Sequence, residues 1–133
     1  MLLGTYQPTL IDKNRLALPS KLRREIKGNQ LILSVGMEDC IFGFEEEKWE
    51  QVTAADLSRP ISDGQGRMLR RKLCTNAERV TLDSQGRFVV PEAMMKYAGV
   101  TDKLTLIGAG DHFEIWNKTV WETYSNKIAK ENI

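Results

Sequence analysis

Arginine can address a guanine edge or a phosphate through two parallel hydrogen bonds, because its guanidinium is a rigid planar fork of donors. Two arginines of this chain stand in matching surroundings: Arg15 in "LIDKNRLALP", Leu10 to Pro19, and Arg87 in "LDSQGRFVVP", Leu82 to Pro91. In both, a short apolar strand enters a polar turn, the arginine follows it, and an apolar strand leaves towards a proline. Asn14 and Gly86, just before the arginines, are residue types that tolerate positive φ, so each stretch predicts a hairpin. An arginine starting the returning strand would project from a two-stranded ribbon of a size that enters a DNA major groove. A bidentate contact there to guanine O6 and N7 contributes about 1–3 kcal/mol of discrimination. Lys13, Asn14, Gln85, Arg23 and Arg24 lie close enough in sequence to assist at phosphates, contacts that position without reading sequence.

The elements that must carry these arginines form an internal repeat. Sliding the chain by 72 residues aligns Leu10 to Val52 with Leu82 to Tyr124 without a gap, with seven identities that include Leu10/Leu82, Arg15/Arg87, Pro19/Pro91, Gly36/Gly108 and Trp49/Trp121. About two or three would arise by chance from ordinary composition. Each copy reads as β-β-α-β-β. The strands are Tyr6 to Ile11 with "RLAL" and Arg79 to Leu82 with "RFVV"; the helices are "SKLRREIK" and "EAMMKYA", each started by a proline and stopped before Gly28 or Gly99. The last strand pairs are "LILSV" with "CIFGF" and "KLTLIG" with "HFEIW". Isolated hairpins are marginal in water, so the two copies should close one shared barrel-like core. Helices are predicted in "EEEKWEQVTAADL" and in "SDGQGRMLRRKL", the latter with a Ser62/Gln65 capping box, and again after the second copy, with Val120, Tyr124 and Ile128 on one face.

Other chemistries are poorly served. The only histidine, His112, corresponds in the repeat to Cys40, which puts the two in equivalent places rather than in contact as nucleophile and base. Zinc-ligand spacing, a phosphate-binding glycine loop and a serine elbow are all missing, so no catalytic residue, metal, cofactor or small-molecule ligand is expected. Asp39 and Asp111 fall in turns, where an aspartate bonds its neighbouring backbone. Arg67, Arg70, Arg71 and Lys72 read as a solvated helix face. With 133 residues, 41% hydrophobic and 28% charged, the chain fits one compact domain, and its short apolar runs predict no membrane span. Two cysteines and no signal-peptide pattern predict a cytoplasmic protein with reduced thiols. A net charge of +1 implies weak nucleic-acid binding by a single subunit, which repetition would strengthen.

The opening "MLLGTYQPTL", the turns "DKNR" and "DSQGR", the strings "RLALPSKLR" and "RFVVPEAM", and the late "LIGAGDHFEIW" resemble the MraZ family of bacterial transcriptional regulators over essentially the whole chain. The resemblance implies an α+β fold, a pseudo-symmetric double-split β-barrel of the SpoVT/AbrB-like class. Repeats would occupy 5–47 and 77–120, connecting helices 48–76 and a C-terminal helix 117–133. It further implies a homo-oligomeric ring binding double-stranded DNA at short guanine-rich direct repeats. These lie upstream of the operon for cell division and cell-wall synthesis, which the ring usually represses in the cytoplasm at the nucleoid. The family's signature is Asp-x-x-x-Arg, and Asp83, Gly86 and Arg87 match it in the second copy. In the first, Ile11 stands four before Arg15 and the aspartate is Asp12. A gap would align the two aspartates but would turn every strand side chain to the opposite face, so the ungapped match is kept, with Arg15 carried over as the DNA contact. An antitoxin-like binding partner, a sequence-neutral architectural DNA binder and an enzyme using Cys40 or His112 are the competing readings.

Overall fold

A computed structural model describes residues 1–133. The chain runs β1 (Thr5–Tyr6), β2 (Arg15–Ala17), α1 (Ser20–Arg23), β3 (Gln30–Val35), β4 (Ile41–Glu45), α2 (Glu46–Leu57), α3 (Gly64–Thr75), β5 (Ala77–Thr81), β6 (Arg87–Val89), α4 (Glu92–Tyr97), β7 (Leu104–Gly108), β8 (Phe113–Asn117) and α5 (Lys118–Ala129). The architecture is α+β, as the sequence predicts. A six-stranded antiparallel sheet has the order β1-β7-β8-β4-β3-β5, and β2 and β6 form a second sheet. Together they wrap one core in an arrangement consistent with a double-split barrel, although the ladder of strands does not close.

The two copies interlace instead of folding side by side. β1 of the first pairs with β7 of the second, and β5 of the second pairs with β3 of the first. The returning strands β2 and β6 pair with each other. The local hairpins that the turns predict therefore shrink to closing contacts, such as the Ile11–Arg15 bridge. Burial explains the exchange. A lone hairpin would leave Leu16 and Phe88 half covered, whereas pairing β2 with β6 buries both completely (0% and 1% exposed). The expected strand Tyr6 to Ile11 is likewise cut to Thr5–Tyr6, two residues before Pro8, which has no N–H for a ladder.

The ungapped alignment also fails over one strand. Leu31 pairs with Glu45 and Leu104 with Asn117. Glu45 and Asn117 are 72 apart, so Leu31 corresponds to Leu104, one residue further on. The slip is absorbed in the β3–β4 turn, where Gly36 to Cys40 is one residue longer than Ala109 to His112, and Glu38 and Asp39 adopt φ of 56° and 62°. Val35 thus matches Gly108 rather than Ile107.

The core joins Leu31, Leu33 and Ile41 of the first copy to Leu106, Phe113 and Ile115 of the second, all fully buried. A Cβ at Gly43 would overlap the Phe113 ring, so β4 needs glycine there. Phe88 meets Phe113 edge-on at 6.0 Å, which seats the small sheet on the large one.

Several local expectations change. Pro19 and Pro91 sit at the N-cap (φ −53° and −54°), one residue before the first turn. Gly99 (φ 65°) directly follows the α4 cap, but α1 ends at Arg23, well before Gly28. The cap of α3 is Asp63, whose side chain accepts from the Gln65 N–H at 3.1 Å, rather than Ser62. On α5, Val120 and Ile128 face solvent, while Trp121 and Tyr124 pack on Trp116 at 5.2 and 5.0 Å. No helix is long and apolar enough to cross a membrane.

Candidate nucleic-acid interface

Strand alternation decides what the β2–β6 ribbon shows to solvent. Arg15 faces Val89, Leu16 faces Phe88 and Ala17 faces Arg87. With Leu16 and Phe88 pointing into the core, Arg15, Ala17, Arg87 and Val89 share the outer face. The two arginines are diagonal neighbours, with Cα atoms roughly 7–8 Å apart. Sequence reading placed them on separate hairpins; the structure brings them together on one two-stranded ribbon to which each copy gives a strand. Leu16 and Phe88 are 72 residues apart, so the pseudo-twofold passes between them. The same cross-copy bond occurs on either side: Val90 N–H to Asn14 O at 2.7 Å and Leu18 N–H to Gly86 O at 2.9 Å. Over this segment the ungapped match of Asn14 with Gly86 therefore holds.

The second turn is tightly built. The Gly86 N–H bonds Asp83 O at 2.9 Å, the Asp83 N–H bonds Arg87 O at 2.8 Å, and Gly86 adopts φ 75°, a three-residue hairpin loop closed by a glycine. The Asp83 carboxylate accepts the N–H groups of Gln85 (2.8 Å) and Arg87 (2.9 Å) on one oxygen and Arg87 Nε–H (2.9 Å) on the other. The Arg87 N–H foremost, then its guanidinium, holds the Asp83 carboxyl below the ordinary aspartate pKa. Arg87 is thereby oriented through Nε, and no hydrogen bond within the chain takes up its two terminal amino groups. Arg23, from α1 of the other copy, donates from Nη2 to Ser84 O at 2.8 Å.

The first turn differs at each of these points. Ile11 occupies the signature position and closes the turn through backbone bonds to Arg15 alone, at 2.7 and 2.9 Å. Positive φ falls on Asp12 (52°) and Lys13 (78°), not on Asn14 as its residue type suggests. Asn14 instead lies across the ribbon and donates its side-chain amide to Val90 O at 2.9 Å. None of the chain's ion pairs includes Arg15. Lys13 and Gln85 are exposed at the turn tips and Arg24 is exposed at the α1 C-cap.

The other candidates resolve into structural contacts. Arg70 donates to the carbonyls of Leu57 (3.0 Å) and Arg59 (3.1 Å), and Arg67 to that of Ile61 (2.9 Å). They fasten the α2–α3 connection, which leaves Arg71 and Lys72 as the exposed pair. Asp111 bonds His112 Nδ1 at 2.7 Å rather than its backbone, and Glu114 bonds His112 Nε2 at 2.7 Å. Glu114 also accepts from Trp116 Nε1 at 2.9 Å and meets Cys40 Sγ at 3.9 Å. His112 stacks on Phe44 at 4.9 Å. Burial opposes its charge, but the two carboxylates outweigh that and raise its pKa above the ordinary histidine value. Burial, reinforced by Glu114, pushes the Cys40 thiol up, so it stays protonated and poorly nucleophilic. No group of His, Cys, Asp and Glu is arranged to hold a metal ion. Sequence reading missed this cluster; its signal was the period-two run His112, Glu114, Trp116 on one face of a strand.

Two interlaced β-β-α-β-β copies that share an arginine-bearing ribbon define an α+β protein built by internal duplication. The family described as "MraZ protein, putative antitoxin-like" matches residues 1–72 and 73–133, and the chain belongs to the MraZ family. It is 41% identical over 124 residues to a protein of Micrococcus luteus, and 40% identical over 124 residues to one of Kocuria rhizophila, in each case 93% of this chain and 86% of the relative. A third, from Spiroplasma kunkelii, is 36% identical over 123 residues, 92% of this chain and 86% of the relative. Each of the three is named transcriptional regulator MraZ.

Proposed function

We propose that the chain is a DNA-binding transcriptional regulator that reads guanine-rich DNA with the outer face of the β2–β6 ribbon. The observation that carries the reading is the pair of arginines, Arg15 and Arg87, diagonal to one another on one exposed two-stranded ribbon. The names of its relatives supply the regulatory role. A B-DNA major groove is roughly 12 Å wide and admits such a ribbon, and each arginine can then take guanine O6 and N7 through its terminal amino groups. Lys13 and Gln85 at the turn tips, with Arg24 at the end of α1, serve the phosphates. Residues 5–47 and 77–120 act as the paired DNA-binding units, 48–76 join them and 117–133 carry the terminal helix.

The ribbon offers few cationic side chains to phosphates, so one subunit gains little counterion release and tight binding needs several copies on adjacent sites. Here the family resemblance supplies the particulars. They are a homo-oligomeric ring, short guanine-rich direct repeats upstream of the cell-division and cell-wall operon, repression as the usual outcome, and a cytoplasmic, nucleoid-associated location. The test is a gel shift over the protein's own upstream region against a scrambled duplex at near-physiological salt. Arg15→Ala and Arg87→Ala should each weaken specific binding by about 1–3 kcal/mol, roughly 5- to 150-fold. Unchanged specific binding in both variants refutes the site. Equal binding to the scramble, falling steeply with salt, would mark an architectural binder.

A further inference from the structure

We propose that Arg23 is a positioning residue: it fixes the turn from which Arg87 projects and so sets base discrimination without itself touching DNA. The inference rests on the ribbon being the DNA-reading face.

Arg23 belongs to the first copy, on α1, yet its Nη2 donates to Ser84 O in the second turn at 2.8 Å. Its side chain also covers Gly86. A Cβ built there would lie 2.8 Å from Arg23 Cδ and 2.9 Å from Nη1, so the absence of a side chain at Gly86 is what lets the guanidinium lie over the turn. The second turn is then held at three points: Asp83 inside it, the Leu18 N–H on Gly86 O, and Arg23 on Ser84 O. A hydrogen bond from a charged donor is among the stronger kinds.

The first turn keeps only the cross-copy bond, Val90 N–H to Asn14 O, joined by the Asn14 amide on Val90 O, and lacks the other two holds. In the repeat, Arg23 corresponds to Met95, which is buried at 6% exposure and has no donor, and Ser84 corresponds to Asp12, which sits at positive φ. With Ile11 in the signature position, both braces act on the second turn and the first turn has neither. A two-bond contact to guanine tolerates little displacement. The pose of Arg87 is fixed through Asp83, which moves with the turn. Arg23 therefore acts on recognition through the backbone at Ser84 and Gly86, and the second copy, whose turn it braces, is the more selective reader.

A phosphate role for the same arginine makes opposite predictions. Binding of the full chain would be measured by fluorescence anisotropy across a salt series. The probes are the native upstream duplex, the same duplex with single guanines replaced, and a scramble. Arg23→Met should weaken native binding about 3- to 10-fold, the scale of ordering one rotamer-rich side chain. It should reduce discrimination against the replaced guanines by the same factor, leave the salt slope unchanged, and add nothing in an Arg87→Ala background. Arg23→Lys keeps the charge but lacks the planar fork, and should restore no discrimination. Equal thermal midpoints would show that the variants are folded. A salt slope reduced by about one, equal loss on every duplex, additivity with Arg87→Ala, or rescue by lysine each identifies a phosphate contact and overturns the proposal. No change in Arg23→Met overturns it too. If the wild-type protein binds the native duplex and the scramble equally, the DNA-reading assignment falls first and the brace falls with it.

Discussion

The outward aim of Arg87 depends on the alternation of β6, which a pair of adjacent substitutions can test. Phe88 is 1% exposed, lies opposite Leu16 and contacts Phe113 at 6.0 Å; Val89, the next residue, is 44% exposed. Phe88→Ala removes a ring from a packed interior and should cost about 3–5 kcal/mol. At about 2.1 cal/mol/K per residue, 133 residues give an unfolding entropy near ~0.28 kcal/mol/K, so the melting temperature should fall by roughly 11–18 °C. Val89→Ala removes atoms that already meet solvent and should cost under about 1 kcal/mol, or less than ~4 °C. Differential scanning calorimetry of both variants and the wild type is the assay. If Val89→Ala destabilises as much as Phe88→Ala, the strand is turned the other way. Arg87, which shares its face with Val89, would then point inward, and the ribbon could not read DNA as argued.

Three further outcomes follow from the turns and the histidine. Gly86→Ala forces a Cβ into φ 75° beside Arg23 and should lower stability by about 1–2 kcal/mol, or ~4–7 °C, whereas Lys13→Gly relieves φ 78° and should not destabilise, as paired thermal melts would show. The Asp83 pKa is depressed in the folded state, so its contribution is present above the ordinary aspartate value and lost as pH falls through the folded one. The melting-temperature gap between wild type and Asp83→Asn should stay constant from neutral pH to about 5 and close below about 4. The His112 pKa is raised by Glu114 and Asp111 against the cost of burial, so its contribution is full below about 6.5 and lost as pH rises through the folded value. An imidazole NMR titration should give a midpoint above that of free histidine, and a midpoint at or below it would remove the case for imidazolium between two carboxylates.

The particular misreadings separate local from global information. Nearest-neighbour chemistry placed Gly86 at positive φ, Gly99 after a helix and the arginines after turns, and the structure agrees, because those conformations cost energy at one residue at a time. It failed at Asn14, where a bond to Val90 in the other copy outweighs the local preference, and at Ser62, where Asp63 is the better acceptor for the Gln65 N–H. The stripe of Val120, Tyr124 and Ile128 has the right period, but the indole of Trp116 selects Trp121 and Tyr124 as the packed face. Neither the helix period nor composition says which neighbour an amphipathic face will meet.

The sequence by itself determined the duplication, the α+β class, most strand positions and the identity of the two arginines, since these follow from periodicity, turn chemistry and spacing along the chain. Only the tertiary structure decided that β2 and β6 pair with each other, that Arg15 and Arg87 share one face, and that Arg23 reaches across to hold one turn while nothing equivalent holds the other. The physical reason is that these outcomes depend on contacts between residues more than sixty positions apart. Such contacts are selected by the burial of Leu16 against Phe88, which no local window contains.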